Sequence, residues 1–375
     1  MRFSVPRFIH TADWQIGKQF GQFDHSEAGV LSDQRINTVA RIGELATQVK
    51  ADAILVAGDV FDMQTVSCKT LHRLATALDS YSGPWVLLPG NHDAAVAESV
   101  WQVWQRTVQL PANIHLALKP GVIELQAAGL AVFCAPLTQR HSQSDLTEPF
   151  SHYDCGAGLV RVGLAHGSVQ GILPDQMETQ NPIAADRALT SGLDYLALGD
   201  WHGRLEVNTH TFYSGSPETD VFRNNDSGNV LEVQIDSPGA VPEVTVHRTG
   251  YFRWYQALCG LRIREDLEQL QEQCAAFDRL AVVKLRLEGA LDLATYQDLA
   301  RWLGTLEARV HALLTDDEAL AIAPSDNDLL DLQADGYLAE VVTELKAEQE
   351  SNAVSREALR LLLQKLAQHQ QDVRA

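Results

Sequence analysis

The sequence predicts an α/β fold in which two sheets are flanked by helices. Five short apolar runs are each followed by a short cluster of polar residues, and amphipathic segments follow the first two of them. Short apolar runs of this kind are typical of buried parallel strands. Their alternation with helices is typical of α/β domains. The five predicted strands are residues 7–12, 53–57, 85–89, 160–164 and 195–198.

The remaining segments of this first domain, which we expect to comprise residues 1–250, are consistent with that fold class. Residues 33–49 and 67–80 have the apolar spacing of amphipathic helices. Turn-forming residues separate three later apolar segments, which we predict to be closing antiparallel strands. These segments are residues 212–213, 229–235 and 243–248.

Polar side chains follow all five predicted strands. In open α/β sheets, ligands bind beyond the carboxyl ends of the strands, so these side chains are expected to converge at one edge. Oxygen and imidazole groups that converge in this way are typical of a metal centre. A single such residue is more often a cap or a turn residue, but five groups in order outweigh that interpretation. The groups are Asp13 and Gln15; Asp59; Asn91, His92 and Asp93; His166; and Asp200 and His202.

This ordered set resembles the calcineurin-like metallophosphoesterases, whose usual motifs are D-x-H, G-D, G-N-H-D/E, a lone His and G-H-x-H. The residues around the motifs, at 10–14, 58–62 and 213–218, look like those of the SbcD-type DNA-repair exonucleases. The resemblance covers residues 7–250 well and about seventy further residues loosely. It implies a four-layer α-β-β-α sandwich that hydrolyses phosphodiesters with two metal ions.

The resemblance also implies two sets of metal ligands, from which this chain departs at two positions. Gln15 replaces the His of D-x-H, and Asp200 replaces the first His of G-H-x-H. Two imidazoles are thereby exchanged for oxygens, which favours Mn²⁺, with Mg²⁺ as the other candidate, over Zn²⁺. The first metal would take Asp13, Gln15, Asp59 and His202, and the second would take Asp59, Asn91, His166 and Asp200.

The chemistry expected of such a centre is metal-assisted hydrolysis. Two divalent cations about 3.5–4 Å apart can activate water and hold a phosphodiester for in-line attack. Asp59 is the expected bridge, because its two carboxylate oxygens can serve both ions. His92 is expected to stabilise the developing charge or to protonate the leaving oxygen. Asp93 is expected to orient His92.

The rest of the chain predicts a smaller α+β domain and a helical tail. Residues 251–323 have a β-α-β-α-β order that resembles the capping domain of SbcD-type nucleases, although a generic appendage would have the same pattern. Residues 324–375 begin with an acidic break and predict two helices. The second helix carries an apolar stripe at helical spacing, which either packs on its own domain or docks another chain. The stripe consists of Leu359, Leu362, Leu363 and Leu366.

Partners follow from the resemblance and from the charge. In SbcD-type proteins the C-terminal helices bind the coiled-coil base of an SbcC-type ATPase, and this tail resembles them. The chain has 29 basic and 49 acidic residues and a net charge of −20, which is unfavourable for binding DNA alone. We therefore expect either a partner subunit that supplies much of the DNA contact or a small substrate. A homodimer is a further possibility.

Three function classes remain open. The first is an exo- or endonuclease that acts in DNA repair with an SbcC-type ATPase. The second is a phosphoesterase acting on nucleotides or other small phosphodiesters, and the third is a non-catalytic scaffold with a degenerate metal site. The sequence has no apolar run long enough to span a membrane, and its five cysteines form no close-spaced pair. Both observations favour a cytoplasmic protein.

Overall fold

The computed structural model describes residues 5–172, 180–323, 336–349 and 351–374. The chain divides into two compact units, Met1–Tyr251 and Phe252–Ala375. Among the described helices, none combines the length and the apolar character that crossing a membrane would require. The predicted acidic break at residues 324–328 lies outside the described residues.

The first unit contains two six-stranded sheets and one two-stranded sheet. The sheet orders are β14-β13-β1-β2-β3-β4, β11-β12-β10-β7-β6-β5 and β8-β9. The strands are β1 (Arg7–Thr11), β2 (Ala53–Val56), β3 (Trp85–Leu87), β4 (Ile114–Leu116), β5 (Gly121–Leu125), β6 (Leu130–Ala135), β7 (Val160–His166), β8 (Ser168–Val169), β9 (Pro182–Ile183), β10 (Tyr195–Gly199), β11 (Leu205–Asn208), β12 (Thr211–Tyr213), β13 (Asn229–Gln234) and β14 (Glu243–Arg248).

The two large sheets pack face to face, and helices cover their outer faces. Successive side chains of a strand point to opposite faces, so Phe8 of β1 enters the core between the sheets while Ile9 enters the core under the helices. Helices α1 (His25–Gln48), α2 (Cys68–Leu78) and α3 (Val100–Thr107) cover the first sheet, and α4 (Arg187–Thr190) lies on the second. The predicted four-layer α-β-β-α sandwich is therefore confirmed.

The helix and strand boundaries differ from the predicted ones where local signals were weak. Helix α1 begins at His25 rather than at residue 33, and the Asp24 N–H there donates to the Glu27 carboxylate at 3.2 Å. Helix α2 begins after Ser67, whose hydroxyl accepts the Thr70 N–H at 3.1 Å. The segment at 212–213 lies in β12, which runs parallel to β10 and antiparallel only to β11. Strands β4, β5 and β6 were not predicted.

The second unit is built on a three-stranded parallel sheet. Its strands are β15 (Arg253–Leu261), β16 (Ala281–Leu291) and β17 (Ala312–Ile322), in the order β15-β16-β17. Helices α5 (Arg264–Gln273) and α6 (Leu293–Glu307) connect the strands. The β-α-β-α-β order predicted for residues 251–323 is thus observed.

The C-terminal helices belong to the core of this second unit. Helices α7 (Tyr337–Glu348) and α8 (Ala353–Arg374) follow β17. Leu359 and Leu363 of α8 are fully buried in the same apolar cluster as Leu285 and Leu320 of the sheet. Of the two interpretations of the apolar stripe, packing on its own domain is therefore correct, and the expectation that the stripe is a free docking face is wrong. The reason is that the small sheet needs these leucines to close its core.

Prediction for the second unit. Leu359→Ala should lower the free energy of unfolding by about 2–5 kcal/mol, because it removes a fully buried side chain and leaves a cavity. Leu361, two residues away, is 49% exposed, so Leu361→Ala should change stability by about 0.5 kcal/mol or less. Denaturant titration of both variants checks this. Equal effects of the two substitutions would contradict the placement of α8.

His10 of β1 is fully buried in the centre of the sandwich. Its Nδ1 is 3.0 Å from the Tyr195 hydroxyl and its Nε2 is 3.2 Å from the Leu198 carbonyl oxygen. Burial lowers the pKa of His10 to about 3, and the contact with the Leu198 carbonyl only partly opposes this effect. The ring is therefore neutral in the folded protein at any ordinary pH.

Prediction for His10. Between pH 6.5 and about 3 the unfolded chain binds a proton at His10 and the folded chain does not, so stability should fall as the pH falls through this range. The slope from this one group is about 1.4 kcal/mol per pH unit. Histidine-selective NMR at pH 5 should show a neutral ring for His10. A protonated His10 at that pH in the folded protein would contradict the assignment.

Candidate metal centre

The loops that carry the predicted ligands lie at the carboxyl ends of neighbouring parallel strands. In the first sheet β1, β2 and β3 are adjacent, and in the second sheet β7 and β10 are adjacent. The loops after β1, β2 and β3 carry Asp13, Asp59 and Asn91, while His166 is the last residue of β7. The topology thus brings residues from distant parts of the sequence to one edge of the sandwich, as predicted.

The backbone at these loops adopts conformations that are uncommon for residues with side chains. Positive φ angles occur at Asp13 (54°), Gln15 (49°), Asp59 (51°) and Asp200 (104°), which are four of the eight non-glycine residues with positive φ in the described chain. The loops hold one another, since the Asp13 N–H donates to the Gly58 carbonyl at 3.0 Å. Strained conformations of this kind cluster at functional sites.

Asp13, Asp59 and His166 form the centre of the site. Each offers one ligand atom, and these atoms all lie within 4.8 Å of one another. His166 Nδ1 lies 2.9 Å from the Ala57 carbonyl oxygen and therefore carries the proton. Its Nε2 faces the acidic groups, 3.6 Å from Asp59 Oδ1 and 3.7 Å from Asp200 Oδ1. This is the orientation in which an imidazole binds a metal ion.

The two oxygens of Asp59 point to the two predicted ligand sets. Oδ2 accepts the Gln15 side-chain N–H at 2.7 Å, and Gln15 belongs to the first set. Oδ1 accepts the His92 backbone N–H at 2.9 Å and faces His166 Nε2, on the side of the second set. Asn91 Oδ1 also lies on that side, 2.8 Å from His166 Nε2. One oxygen of Asp59 thus contacts a residue of the first predicted set, and the other faces a residue of the second.

Two glycines allow this close approach. A Cβ atom on Gly58 would lie 2.2 Å from His166 Nδ1, and a Cβ on Gly90 would lie 2.2 Å from Asp59 Oδ1. Real Cβ atoms do not approach other atoms so closely, and neither neighbour has room to retreat, because both belong to the buried centre. The glycines of the G-D and G-N-H-D motifs are therefore steric requirements of the site.

The centre contains several buried carboxylates, and the neighbouring histidines offset their negative charge only in part. Burial, and then the nearby Asp59, raise the pKa of Asp13 to about 6, although His202 and His166 act in the opposite direction. Burial disfavours protonated His166, but Asp59, Asp13 and Asp200 together raise its pKa to about 9. A buried group of carboxylates that draws protons in this way is a site suited to cations.

Gln15 and Asp200, the two departures from the family motifs, both lie at the centre. Gln15 is fully buried, and its Oε1 has no hydrogen-bond partner. The Asp200 N–H donates to Asp13 Oδ1 at 3.1 Å, while Asp200 Oδ2 accepts the Ser168 hydroxyl at 2.7 Å. Ser168 thereby leaves Oδ1 facing His166. An orphaned amide oxygen and a directed carboxylate fit the oxygen-rich shell that the sequence predicted for a divalent ion.

His202 is held by an acidic residue that the sequence analysis missed. His202 Nδ1 lies 3.3 Å from Asp220, whose side chain is completely buried and also pairs with Lys18 Nζ at 2.9 Å. Burial opposes protonation of His202, but Asp220, followed by Asp13, raises its pKa to about 9. His202, followed by Arg35 and Lys18, keeps the pKa of Asp220 well below its usual range despite burial. Asp220 follows the residues 213–218 that suggested the resemblance, but its own position carries no motif signal.

The predicted pairing of Asp93 with His92 is wrong. Asp93 is fully buried and accepts the backbone N–H groups of Phe61 at 3.0 Å and Gly90 at 2.6 Å. Burial, with a further contribution from Asp59, raises the pKa of Asp93 to about 8. His92 Nδ1 instead lies 2.8 Å from the Asp62 carbonyl oxygen. Asp93 therefore shapes the loops, and the Asp62 carbonyl orients the His92 ring.

A buried arginine supports the loop that carries Asp13. Arg35 of α1 donates from Nε to the Trp14 carbonyl at 2.6 Å and from Nη2 to the Asp13 carbonyl at 3.1 Å. The Ser216 hydroxyl donates to the same Asp13 carbonyl at 2.9 Å. These contacts satisfy backbone groups that the irregular loop would otherwise leave unpaired. In the sequence, Arg35 looked like any polar residue of an amphipathic helix.

Part of the chain matches a known protein family. Residues 6–168 match the sequence profile of the family described as calcineurin-like phosphoesterase. The matched segment includes Asp13, Asp59, Asn91 and His166 and ends before Asp200 and His202.

Three proteins named for nuclease or DNA-repair functions are similar in sequence. The SbcD subunit of the nuclease SbcCD from Bacillus subtilis is 27% identical over 251 residues, which are 56% of this chain and 61% of that protein. The corresponding nuclease subunit from Rhodobacter capsulatus is 37% identical over 94 residues, 24% and 22% of the two chains. The DNA double-strand break repair protein Mre11 of Aeropyrum pernix is 25% identical over 268 residues, 66% and 63%. The match spans less than two thirds of each relative.

Prediction for the close approach at the centre. Gly58→Ala should weaken Mn²⁺ binding at least about tenfold, because the new Cβ displaces His166. Gly158 also has a positive φ, 85° against 91° for Gly58, but its Cβ would meet nothing within 4 Å. Gly158→Ala should therefore cost only backbone strain of about 1–2 kcal/mol and leave metal affinity unchanged. Titration calorimetry with Mn²⁺ measures both. Unchanged affinity in Gly58→Ala would contradict the geometry of the centre.

Proposed function

We propose that this chain, whose residues 6–168 match the calcineurin-like phosphoesterase family, hydrolyses phosphodiester bonds with two divalent metal ions. The supporting observation is the position of Asp59 between Gln15 and His166, with one oxygen directed to each side. A purely structural carboxylate has no need of two unlike buried partners at a strained loop. Mn²⁺ is the preferred ion and Mg²⁺ the second, because the ligands are mainly oxygens.

We assign the residues of the site to metal binding and to action on the substrate. Asp13, Gln15, Asp59 and His202 would hold one ion, and Asp59, Asn91, His166 and Asp200 would hold the other. The bound ions would supply charge neutralisation and water activation for attack at phosphorus. The Asp62 carbonyl fixes the proton of His92 on Nδ1, which leaves Nε2 as the ring atom available to a substrate. We assign to His92 the stabilisation or protonation of the leaving oxygen.

We further propose that the substrate is DNA and that an SbcC-type ATPase is the partner. The names of the relatives support this assignment, and so does the charge. A chain with a net charge of −20 binds a polyanion poorly unless a partner contributes basic surface. Because the leucines of the apolar stripe pack in the core of the second unit, they are not free to bind a partner. The partner would instead contact exposed apolar side chains of the C-terminal helices, such as Tyr337, Val354 and Leu361. The same acidity favours small phosphodiesters as the second candidate substrate.

Prediction for the metal centre. Asp59→Asn should lower both metal content and hydrolysis of bis-p-nitrophenyl phosphate, since it removes the bridging charge. His92→Gln should leave both ions bound and lower the turnover rate by about 10²–10⁴-fold, because it removes only a group that acts on the substrate. Metal analysis and steady-state assays with Mn²⁺, Mg²⁺ or a chelator distinguish the two variants.

The outcomes separate the candidate functions. Hydrolysis of DNA that is stimulated by the ATPase supports the nuclease, whereas hydrolysis of small diesters alone supports the second substrate class. Bound metal without hydrolysis of any diester would contradict both assignments and favour a scaffold. Equal loss of metal in Asp59→Asn and His92→Gln would refute the separate roles of the two residues.

Prediction for the partner surface. A variant with Tyr337, Val354 and Leu361 all changed to Glu should keep activity on the small diester, because every proposed ligand lies in the first unit. It should lose co-purification with the ATPase and its stimulation of DNA cleavage. The triple change to Ser removes the same apolar side chains without adding charge, and it therefore serves as the control for the effect of charge. Retained association in the Glu variant would place the partner elsewhere.

A further inference from the structure

A buried ion-pair cluster lies behind His202. Asp220 has no exposed side-chain surface, and both of its oxygens lie 3.3 Å from His202 Nδ1. Lys18 Nζ is 2.9 Å from Asp220 Oδ2 and is itself only 22% exposed. A carboxylate buried in this way is stable only with partners that balance its charge and fill its hydrogen-bonding capacity. Here Lys18 and His202 are in direct contact with the carboxylate, and the positive charge of Arg35 also stabilises it.

We propose that Asp220 is a positioning residue that fixes His202 as a ligand of the first metal ion. Accepting the Nδ1 proton selects the tautomer in which Nε2 carries the lone pair, and it also sets the plane of the ring. The charge of Asp220 makes that nitrogen a stronger donor to a cation. This inference rests on the two-metal function proposed above, because it assigns a role toward one of those ions.

Lys18 connects Asp220 to the loop that carries two of the proposed first-metal ligands. The Lys18 N–H donates to the Gln15 carbonyl at 3.1 Å, so Lys18 belongs to the same loop as two of the first-metal ligands, Asp13 and Gln15. Its ammonium group pairs with Asp220, which belongs to the loop after β12. The ion pair therefore ties the loop that carries Asp13 and Gln15 to the residue that orients His202.

Because Gln15 stands where the family motif has a histidine, the first metal ion would depend more strongly on His202. Gln15 offers this ion only a neutral amide oxygen, which is a weak ligand. His202 is consequently the single nitrogen ligand in the first set, beside Asp13, Asp59 and Gln15. A partner that holds its ring and raises its basicity compensates for the missing imidazole. The alternative is that Asp220 acts only as an anchor for Lys18, and so affects metal binding through the loop of Asp13 and Gln15 rather than through His202.

Manganese titration of the full-length protein distinguishes these roles. Asp220→Asn keeps the shape but removes the charge, and it should weaken one of two Mn²⁺ sites by about 10–100-fold while the other site is unchanged. In electron paramagnetic resonance, the spin-coupled signal of a manganese pair should then be replaced by the signal of single ions. Asp226→Asn is the matched control, because Asp226 is a half-exposed aspartate paired with Arg204 at 2.6 Å. It should behave as the unaltered protein does.

Two further variants test whether Asp220 acts only as an anchor for Lys18. Lys18→Met should keep the paired-manganese signal, because the contact between Asp220 and His202 persists. If it reproduces the loss seen in Asp220→Asn, Asp220 acts through Lys18 and the proposal is overturned. Asp220→Glu, which keeps the charge but moves the carboxylate, replaces Asp220→Asn should the latter fail to fold, and it too should weaken one site.

The outcomes also separate this inference from the proposed function. Two tight manganese sites in the unaltered protein with no change in either Asp220 variant would overturn the role of Asp220 and leave the two-metal function standing. An unaltered protein that binds no manganese pair would overturn the two-metal function itself.

Discussion

The organisation of the first unit depends on one electrostatic problem, the concentration of carboxylates in a site from which water is largely excluded. Asp13 and Asp59 are buried, Asp200 lies beside them, and all three surround the imidazole of His166. Charges brought together in this way repel one another strongly unless a cation compensates them. The protein supplies protons and an imidazole, but the arrangement is best satisfied by divalent ions.

The surrounding structure keeps these charges in place despite their repulsion. Arg35 and Ser216 hold the carbonyl of Asp13, and Asp93 uses both oxygens to hold the backbone of neighbouring loops. Glycines remove the side chains that would separate the ligand-bearing loops. The strained φ angles persist because these many contacts over-determine them. The site is therefore a property of the two packed sheets and not of any single motif.

Much of this could be predicted from the sequence, for a physical reason. Strands that end in polar residues carry a local signal, and the topology of parallel sheets converts five local signals into one site. Hence Asp13, Asp59, Asn91 and His166 were correctly brought together. Asp220 and Arg35 could not be found in the same way, because each is defined only by contacts with residues far away in the chain.

The same difference between local signals and long-range contacts explains the predictions that were wrong. Adjacency in sequence suggested that Asp93 orients His92, but the turn directs Asp93 toward backbone groups and leaves His92 to the Asp62 carbonyl. The spacing of Leu359 and Leu363 identified an apolar stripe without saying what covers it. Only the three-stranded sheet of the second unit shows that its own core requires these leucines.

Anomalous diffraction from crystals grown with Mn²⁺ would show directly whether Asp59 bridges two metal ions, as we propose. Two anomalous peaks about 3.5–4 Å apart are expected on either side of the Asp59 carboxylate, one toward Gln15 and His202 and one toward Asn91 and His166. A single peak beside Asp59, or peaks only at other acidic residues, would show that Asp59 does not bridge two ions.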